Sequence, residues 1–198
     1  MNSILNKNHF FVKEHVRILK AANQFDVYEI ESQTPVIHCK EVEMSLITKI
    51  FRYTKYKAYT PFSFDVTTID SQDKIMNLKR GYTFFRSVIE VTDEQGNLVG
   101  YIRRLFKFLK PSFEIIDSEF RQLATIDGDF FAWDFKIRNS NQEEIAVVTK
   151  KWGGLGKELF TNADNYAFII NENVKQDDKI RMILLATVVS IDMVLKER

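Results

Sequence analysis

Residues 87–102 read SVIEVTDEQGNLVGYI, and this stretch decides the fold class of the chain. Ser87 to Val91 predicts a strand, the polar run from Asp93 to Asn97 predicts a turn, and Leu98 to Ile102 predicts the returning strand. A short connection that contains glycine is common in β-hairpins. The stretch therefore predicts two antiparallel strands joined by a tight turn.

The same unit recurs along the chain every twenty-odd residues. Turn centres fall near residues 72, 95, 119 and 140, and an earlier copy spans Phe25 to Val42 with its turn at 32–35. The alternation of apolar and polar residues is clearest from Phe64 to Ile69, and this period of two is typical of a strand. A repeat at regular spacing indicates one structural unit used several times. These copies account for about ten strands.

Two flanking segments, Phe10 to Leu19 and Tyr166 to Ile170, predict an eleventh and a twelfth strand. Twelve strands are enough to close into a barrel, which leaves no sheet edge exposed. No linker and no second repeat type interrupts the chain, so we expect residues 1–198 to form one domain. The fold class predicted is mostly β, a twelve-stranded closed β-barrel of repeated hairpins.

The segment from Lys179 to Lys196 has a different period. Its apolar residues recur at spacings of three and four, which predicts a helix, and apolar residues also fill much of its other side. Such a helix is buried in protein or in lipid. The uncharged run from Met182 to Ile191 is ten residues long, whereas a bilayer span takes about 20. We therefore expect residues 179–197 to form a helix that is buried in protein.

Composition narrows the function classes. Lys and Arg number 28 against 27 Asp and Glu, so the net charge of +1 predicts no general attraction to nucleic acid, and a nucleic-acid partner is not expected. The single cysteine, Cys39, cannot form an intramolecular disulfide, and residues 1–11 lack a secretory pattern. We expect a cytoplasmic location, with peripheral contact to a membrane as an option. Lipidation motifs are not present at either terminus, so no covalent anchor is expected.

Two runs near the end of the repeats carry a family resemblance. Residues 150–154, Lys-Lys-Trp-Gly-Gly, and residues 157–166, Lys-Glu-Leu-Phe-Thr-Asn-Ala-Asp-Asn-Tyr, resemble the phospholipid scramblase family. That family is similar in fold to the tubby C-terminal domain and to LURP-one-related proteins, and its apolar helix contains Ile-Asp, as Ile191-Asp192 does here. The resemblance implies a twelve-stranded barrel threaded by the C-terminal helix, in agreement with the strand count.

Eukaryotic family members carry palmitoylated cysteines, which this chain lacks, so attachment by that route is not expected.

The resemblance also implies a calcium-binding segment. The calcium segment would fall on Asn162, Asp164, Tyr166, Phe168, Ile170 and Asn173. Because Ca²⁺ takes six to eight oxygen ligands and Asp164 is the one carboxylate among these positions, we expect weak binding or none through Asn162, Asp164 and Asn173. The alternative is a capped turn in which Asp164 accepts from backbone amides. No other cofactor is indicated.

Two segments mix cations with aromatic residues and are candidate lipid-binding sites. Such a mixture suits an anionic lipid surface or a single-stranded nucleic acid, and the alternative is a solvated loop over a hydrophobic rim. Together the segments are candidates for one basic and aromatic face. The cations are Lys49, Arg52, Lys55 and Lys57 in the first segment, and Arg103, Arg104 and Lys107 in the second.

Three functional hypotheses follow. The first is a non-enzymatic, scramblase-like barrel that binds anionic phospholipid at a membrane surface, with or without lipid transfer. The second is an intracellular interaction domain whose ligand is a protein or a small molecule, because one fold hosts unrelated functions. An enzyme is not expected, since no nucleophile–base pair or carboxylate pair stands at an informative spacing.

Overall fold

The computed structural model describes residues 3–14, 24–42, 45–54, 59–83, 87–105, 112–129, 133–151 and 165–195. Within these ranges, a 3₁₀ turn at Ser3–Asn6 precedes twelve strands and two α-helices. In chain order the elements are β1 (His9–Glu14), β2 (Gln24–Glu29), β3 (Pro35–Glu41), α1 (Leu46–Arg52), β4 (Phe62–Thr68), β5 (Lys74–Arg80), β6 (Val88–Asp93), β7 (Leu98–Leu105), β8 (Ser112–Asp117), β9 (Gln122–Asp129), β10 (Asp134–Asn139), β11 (Glu144–Thr149), β12 (Asn165–Ile170) and α2 (Asp178–Leu195).

The twelve strands form a closed barrel in which each strand pairs antiparallel with its neighbours in sequence. Pairing of β1 with β12, with Phe10 opposite Phe168, closes the ring. The predicted fold class is confirmed. Residues 10–14 of the predicted first strand lie in β1, and residues 15–19 of the predicted segment lie outside the described residues.

Five hairpin turns share one local geometry. Each turn has one residue with positive φ, at Gln33, Gln72, Gly96, Phe120 and Gln142. Three residues later each returning strand has a register shift that leaves one apolar residue unpaired. Such a β-bulge bends the strand and re-aims a side chain. The bulged residues all belong to the core cluster or pack against it: Val36, Ile75, Val99, Leu123 and Ile145.

Three of these turns begin with an Asp or Asn whose side chain holds the turn. The Oδ1 atom of Asp93 accepts hydrogen bonds from the amides of Gln95 and Asn97, at 3.0 and 2.8 Å. Asp117 and Asn139 accept the two corresponding amides in their own turns. Short polar side chains that bond to the backbone two residues on are typical turn formers, which explains the regular turn signal in the sequence.

Helix α2 lies inside the barrel. Every residue from Arg181 to Ile191 is buried, whereas a helix packed on an outer wall would expose one side. The helix packs most closely against β5, β6 and β7. At Gly100 in β7 a Cβ atom would lie 2.2 Å from the carbonyl oxygen of Ile116 in β8 and 2.7 Å from Cδ1 of Ile183, so the neighbouring backbone requires glycine here and α2 lies close to β7. In the described part of the chain, none of the helices has the length and apolar character needed to cross a membrane.

The antiparallel order gives the barrel two different ends. At the hairpin end lie the five short turns, the 171–177 connection and the start of α2. At the loop end lie the longer connections 15–23, 42–61, 81–87, 106–111, 130–133 and 150–164. Arg181 fixes α2 at the hairpin end, because its buried guanidinium donates to the carbonyl oxygens of Leu5, Lys7 and Val174. Burial lowers the pKa of Arg181.

Candidate functional site

The two ends of the barrel carry opposite charge in sequence. The six connections at the loop end contain twelve Lys and Arg and three Asp and Glu. The six connections at the hairpin end contain two basic and eight acidic residues. The net charge of +1 conceals this asymmetry, because the two ends nearly cancel. A field of one sign at one end can orient the protein toward an anionic surface.

Exposed apolar side chains gather at the same end. Eight large hydrophobic side chains are exposed among the described residues, and seven of them lie at the loop end between β3 and β6. The eighth, Phe120, lies in a hairpin turn, where its ring stacks on Tyr101 at 5.4 Å between centroids. A clustered apolar patch on a protein surface marks an interaction site more often than scattered side chains do. We call the cluster the apolar rim; its members are Val42, Ile50, Phe51, Tyr53, Tyr59, Tyr82 and Val88.

Helix α1 supplies the centre of the apolar rim, and its described side chains from Thr48 onward include exposed apolar and buried polar residues. It begins after Ser45, whose Oγ accepts from the amide of Thr48 at 3.2 Å. Ile50 is 66% exposed and Tyr53, at the end of the helix, is 73% exposed. The polar residues Thr48 and Arg52 are buried instead. A surface helix ordinarily turns its apolar side inward, so an outward apolar side indicates a binding partner.

A buried ion pair explains how α1 is held in this orientation. Glu41 occupies the last inward position of β3, and its side chain has no solvent exposure. Both terminal nitrogens of Arg52 donate to the Glu41 carboxylate, one of them at 2.7 Å, and Nη2 also donates to the carbonyl oxygen of Pro61 at 3.1 Å. Two parallel bonds from a guanidinium to a carboxylate fix geometry as well as charge. The pair ties α1 and the following segment to the barrel.

A second buried arginine supports the same segment from β5. The guanidinium of Arg80 donates to the carbonyl oxygen of Thr60 at 2.6 Å and lies 4.5 Å from the ring centroid of Phe62. Arg80 is only 1% exposed, so its charge faces the barrel interior and not the solvent. Arg52 and Arg80 therefore brace the end of the connection between β3 and β4 against the loop end of the barrel.

The structure separates the predicted lipid-binding cations into three groups. Lys49 and Arg104 are partly exposed at the loop end, and Arg103 is also partly exposed there, paired with Glu114. Arg52 is buried against Glu41, which corrects its sequence-based assignment to an exposed face. Lys55, Lys57 and Lys107 lie outside the described residues.

The strand order brings the two predicted basic segments near each other. The connections that leave β3, β5 and β7 follow one another along the loop end, separated by two strands each. With neighbouring strands 4.7–4.9 Å apart, the first and third of these connections are roughly 19 Å apart around the wall. The middle connection contributes Tyr82 to the apolar rim. A single surface can therefore contact all three.

The residues that the family resemblance offers for calcium are placed along a strand. Asn162 and Asp164 lie outside the described residues, just before β12 begins at Asn165. Asn173 lies in an exposed turn beyond the other end of β12, at the hairpin end. Because a strand rises about 3.3 Å per residue, Asn165 and Ile170 are roughly 16 Å apart, and Asn173 lies beyond the end of β12 that is away from Asn165. The intermediate matched positions, Tyr166, Phe168 and Ile170, are buried in the core.

The thiol of Cys39 and the imidazole of His38 are groups that can take part in catalysis or metal binding, but here they have structural roles. Cys39 is fully buried, and burial raises the pKa of its thiol. His38 points to the other face of β3, where its Nδ1 lies 2.6 Å from the carboxylate of Asp26. Within the described ranges, no group of three or more His, Cys, Asp and Glu side chains is arranged to hold a metal ion.

Sequence reasoning missed several parts of this site. It did not single out Glu41 or Arg80, whose roles depend on which strand face is internal, nor Val42, Tyr82 and Val88 in the apolar rim. One signal was available, because Lys79-Arg80, Arg103-Arg104 and Lys150-Lys151 all end hairpins and so must lie at the same end of an antiparallel barrel.

Comparison with known proteins gives consistent matches. A sequence model of the Scramblase family matches residues 2–198. Altered inheritance rate of mitochondria protein 25 of Saccharomyces cerevisiae is 23% identical over 96% of this chain and 71% of its own length. Human phospholipid scramblase family member 5 is 26% identical over 48% of this chain and 38% of its own length. Mouse phospholipid scramblase 1 is 25% identical over 56% of this chain and 35% of its own length. This chain thus spans little more than a third of these two mammalian proteins.

A solved structure supports the fold alone. The X-ray structure of an Arabidopsis thaliana protein superposes with a TM-score of 0.54 over 96% of this chain and 92% of that chain, at 10% identity. The barrel around a C-terminal helix fits the tubby-like fold that the family resemblance implied.

Proposed function

This chain belongs to the scramblase family, and from that premise we propose that it binds anionic phospholipid at a membrane surface through the loop end of its barrel. Membership in the family indicates a lipid-related role. The proposal adds the surface, the lipid charge and a non-enzymatic mode of action. Transfer of lipid between leaflets is the activity that the relatives' names suggest, and here it is part of the proposal.

The exposure of large apolar side chains on and next to the last turn of α1 is the observation that carries the proposal. Ile50, Phe51 and Tyr53 point into solvent while the neighbouring Arg52 is buried in a bidentate ion pair. Fully burying one large apolar side chain is worth about 1.5–3 kcal/mol. Three such side chains entering the headgroup region would contribute several kcal/mol, which offsets the cost of leaving them exposed in the free protein.

Cations beside the apolar rim determine which lipid is favoured. Each Lys or Arg near an anionic leaflet contributes about 1 kcal/mol, and this attraction falls with added salt. Lys49 has no ion-pair partner among the described residues, so its charge is available to a lipid phosphate. Reversible binding of peripheral proteins commonly needs an apolar and an electrostatic signal together. We therefore expect both the apolar rim and the cations to be necessary.

The test is co-sedimentation with liposomes of graded phosphatidylserine content. Wild-type binding should rise with phosphatidylserine and fall between 50 and about 200 mM salt, as expected for screened surface charges. Tyr53→Ser should reduce binding severalfold. Phe120→Ser is its matched control, because both side chains are 73% exposed but Phe120 lies at the hairpin end.

A second pair of variants tests the charge. Lys49→Glu should weaken binding to phosphatidylserine liposomes, whereas Lys179→Glu, an exposed lysine at the start of α2, should leave binding unchanged. Equal effects of the test and control variants would contradict an oriented lipid surface. If the wild-type protein binds none of the liposomes, the second hypothesis, a domain that binds protein or a small ligand, is favoured.

A further inference from the structure

The interior of the barrel is not filled evenly around α2. The helix presses against β7 at Gly100 and packs most closely on β5 to β7, so it stands away from the opposite wall. A cavity of about 230 Å³ lies between the first half of α2 and strands β8 to β11, which follow β7 around the barrel. It lies at the hairpin end, remote from the apolar rim.

The walls of this cavity are hydrocarbon. Ile115, Leu123, Ala124 and Ile145 line the barrel side, and Ile183 and Leu184 line the helix side. Leu123 and Ile145 are bulged residues, and both remain only partly buried although they pack against the core. Ala124 has a small side chain, so the space beside it is empty, whereas larger side chains fill the corresponding space at other inward positions of the wall. The apolar part of this cavity can accept an apolar ligand group.

Polar groups stand at the opening of the cavity. Asn139, Glu143, Asn173 and Lys175 line it together with the apolar side chains. The Glu143 carboxylate accepts a hydrogen bond at 2.7 Å from the side-chain nitrogen Nδ2 of Asn139, so one of its two oxygens is already hydrogen-bonded. Lys175 is exposed and has no carboxylate partner in the described part of the chain. The opening thus offers one cation, Lys175, beside an apolar cavity, and it also holds the carboxylate of Glu143.

We propose that this cavity binds the hydrocarbon chain of a single-chain amphiphile whose anionic head is held by Lys175. Cavities of about 150 Å³ accept benzene, with six carbons, so by proportion this one accommodates roughly nine carbon atoms. Apolar walls with a few polar groups at the mouth are the usual composition of a small-molecule site. The chain could come from a free fatty acid or from a lysophospholipid, which share this chemistry.

The first experiment measures binding of saturated carboxylates of six, eight, ten and twelve carbons by isothermal titration calorimetry. The affinity should rise about fourfold per methylene while carbons enter the cavity and flatten beyond roughly nine. Decyltrimethylammonium should bind more weakly than decanoate. A decanoyl lysophosphatidic acid in the same assay distinguishes the two sources of the chain by its affinity relative to decanoate.

Variants assign the binding to this cavity. Ala124→Leu fills it with added carbon atoms and should reduce decanoate affinity about tenfold or more. Leu123→Phe is a second filling variant in case the first does not fold, as judged by circular dichroism and the thermal midpoint. Lys175→Gln should remove the preference of decanoate over decanol. Tyr53→Ser, at the loop end, should change nothing.

Three results would overturn the proposal: no saturable binding of any carboxylate, an affinity independent of chain length, or unchanged binding in both folded filling variants. Because the cavity and the apolar rim lie at opposite ends, failure of this site leaves the liposome results intact, and the reverse also holds.

Discussion

Replacing the Arg52–Glu41 pair one residue at a time tests how α1 is held on the barrel. The perturbations are Arg52→Met, Glu41→Leu and the double variant, which substitutes side chains of similar length without charge. The side chains of Arg52 and Glu41 are 5% and 0% exposed, so this is a desolvated pair and not a surface salt bridge.

Burial sets the expected magnitudes. Removing one partner of a buried ion pair leaves the other charge uncompensated and costs about 3–5 kcal/mol. For a chain of 150–250 residues each kcal/mol lowers the thermal midpoint by about 2–4 °C, so each single variant should lose about 6–20 °C. Replacing both partners by apolar residues is often neutral or stabilising, because the desolvation cost of two charges disappears. The double variant should therefore be more stable than either single variant.

Urea denaturation followed by circular dichroism measures the four free energies of unfolding, and liposome co-sedimentation of the double variant supplies the functional readout. Because Arg52 faces Glu41 and not solvent, the double variant should bind phosphatidylserine liposomes nearly as well as the wild type.

If the double variant loses as much free energy of unfolding as the two single variants together, Arg52 and Glu41 do not form a coupled buried pair. A double variant that folds normally but no longer binds liposomes would show that Arg52 contacts lipid after all, as the sequence pattern suggested.

The remaining predictions concern the core, the turns and the metal. Ile191→Ala, in the fully buried part of α2, should cost about 2–5 kcal/mol by urea denaturation, whereas Ile50→Ala at the 66% exposed rim position should change stability by less than about 0.5 kcal/mol. Burial alone would raise the pKa of Asp93, but hydrogen bonds from Asn97 and nearby backbone amides outweigh it and lower that pKa below its ordinary 3.8. The resulting stabilisation is present above about pH 4 and is lost as the pH falls through the folded-state pKa, so Asp93→Asn should flatten the acid limb of a stability–pH profile and change little at pH 7. Cys39 should resist iodoacetamide in native protein and react after unfolding, because burial raises the pKa of its thiol. Calorimetric titration should detect no calcium binding tighter than about 10⁻⁵ M; a tighter constant would reveal a cage of oxygen ligands outside the positions considered.

The repeated hairpins could be predicted from sequence because their causes are local. Three of the turns depend on a short polar side chain that accepts hydrogen bonds from backbone amides, as Asp93 and Asn139 do. Alternation of apolar residues then fixes which side of each strand faces the core. The apolar helix was equally clear, since ten uncharged residues cannot be solvated and are too few to span a bilayer.

The candidate surface required the tertiary structure. The sequence grouped Arg52 with Lys49, Lys55 and Lys57 as one basic run, because a sequence shows which residues are charged but not which of them are buried. Whether a cation is free or neutralised depends on a partner brought near by folding, here Glu41 on β3. The same holds for Arg80, whose inward direction follows from its strand register.

By itself, the sequence determined the strands, the turns and the buried helix, because each rests on interactions between residues a few positions apart or on hydrophobicity alone. Only the tertiary structure decided that strand ends distant in the chain meet at one end of the barrel, that Ile50 and Phe51 of α1 are exposed, and that a cavity lies between α2 and strands β8 to β11. These features depend on long-range packing, in which the position of each side chain is set by neighbours that the linear order does not specify.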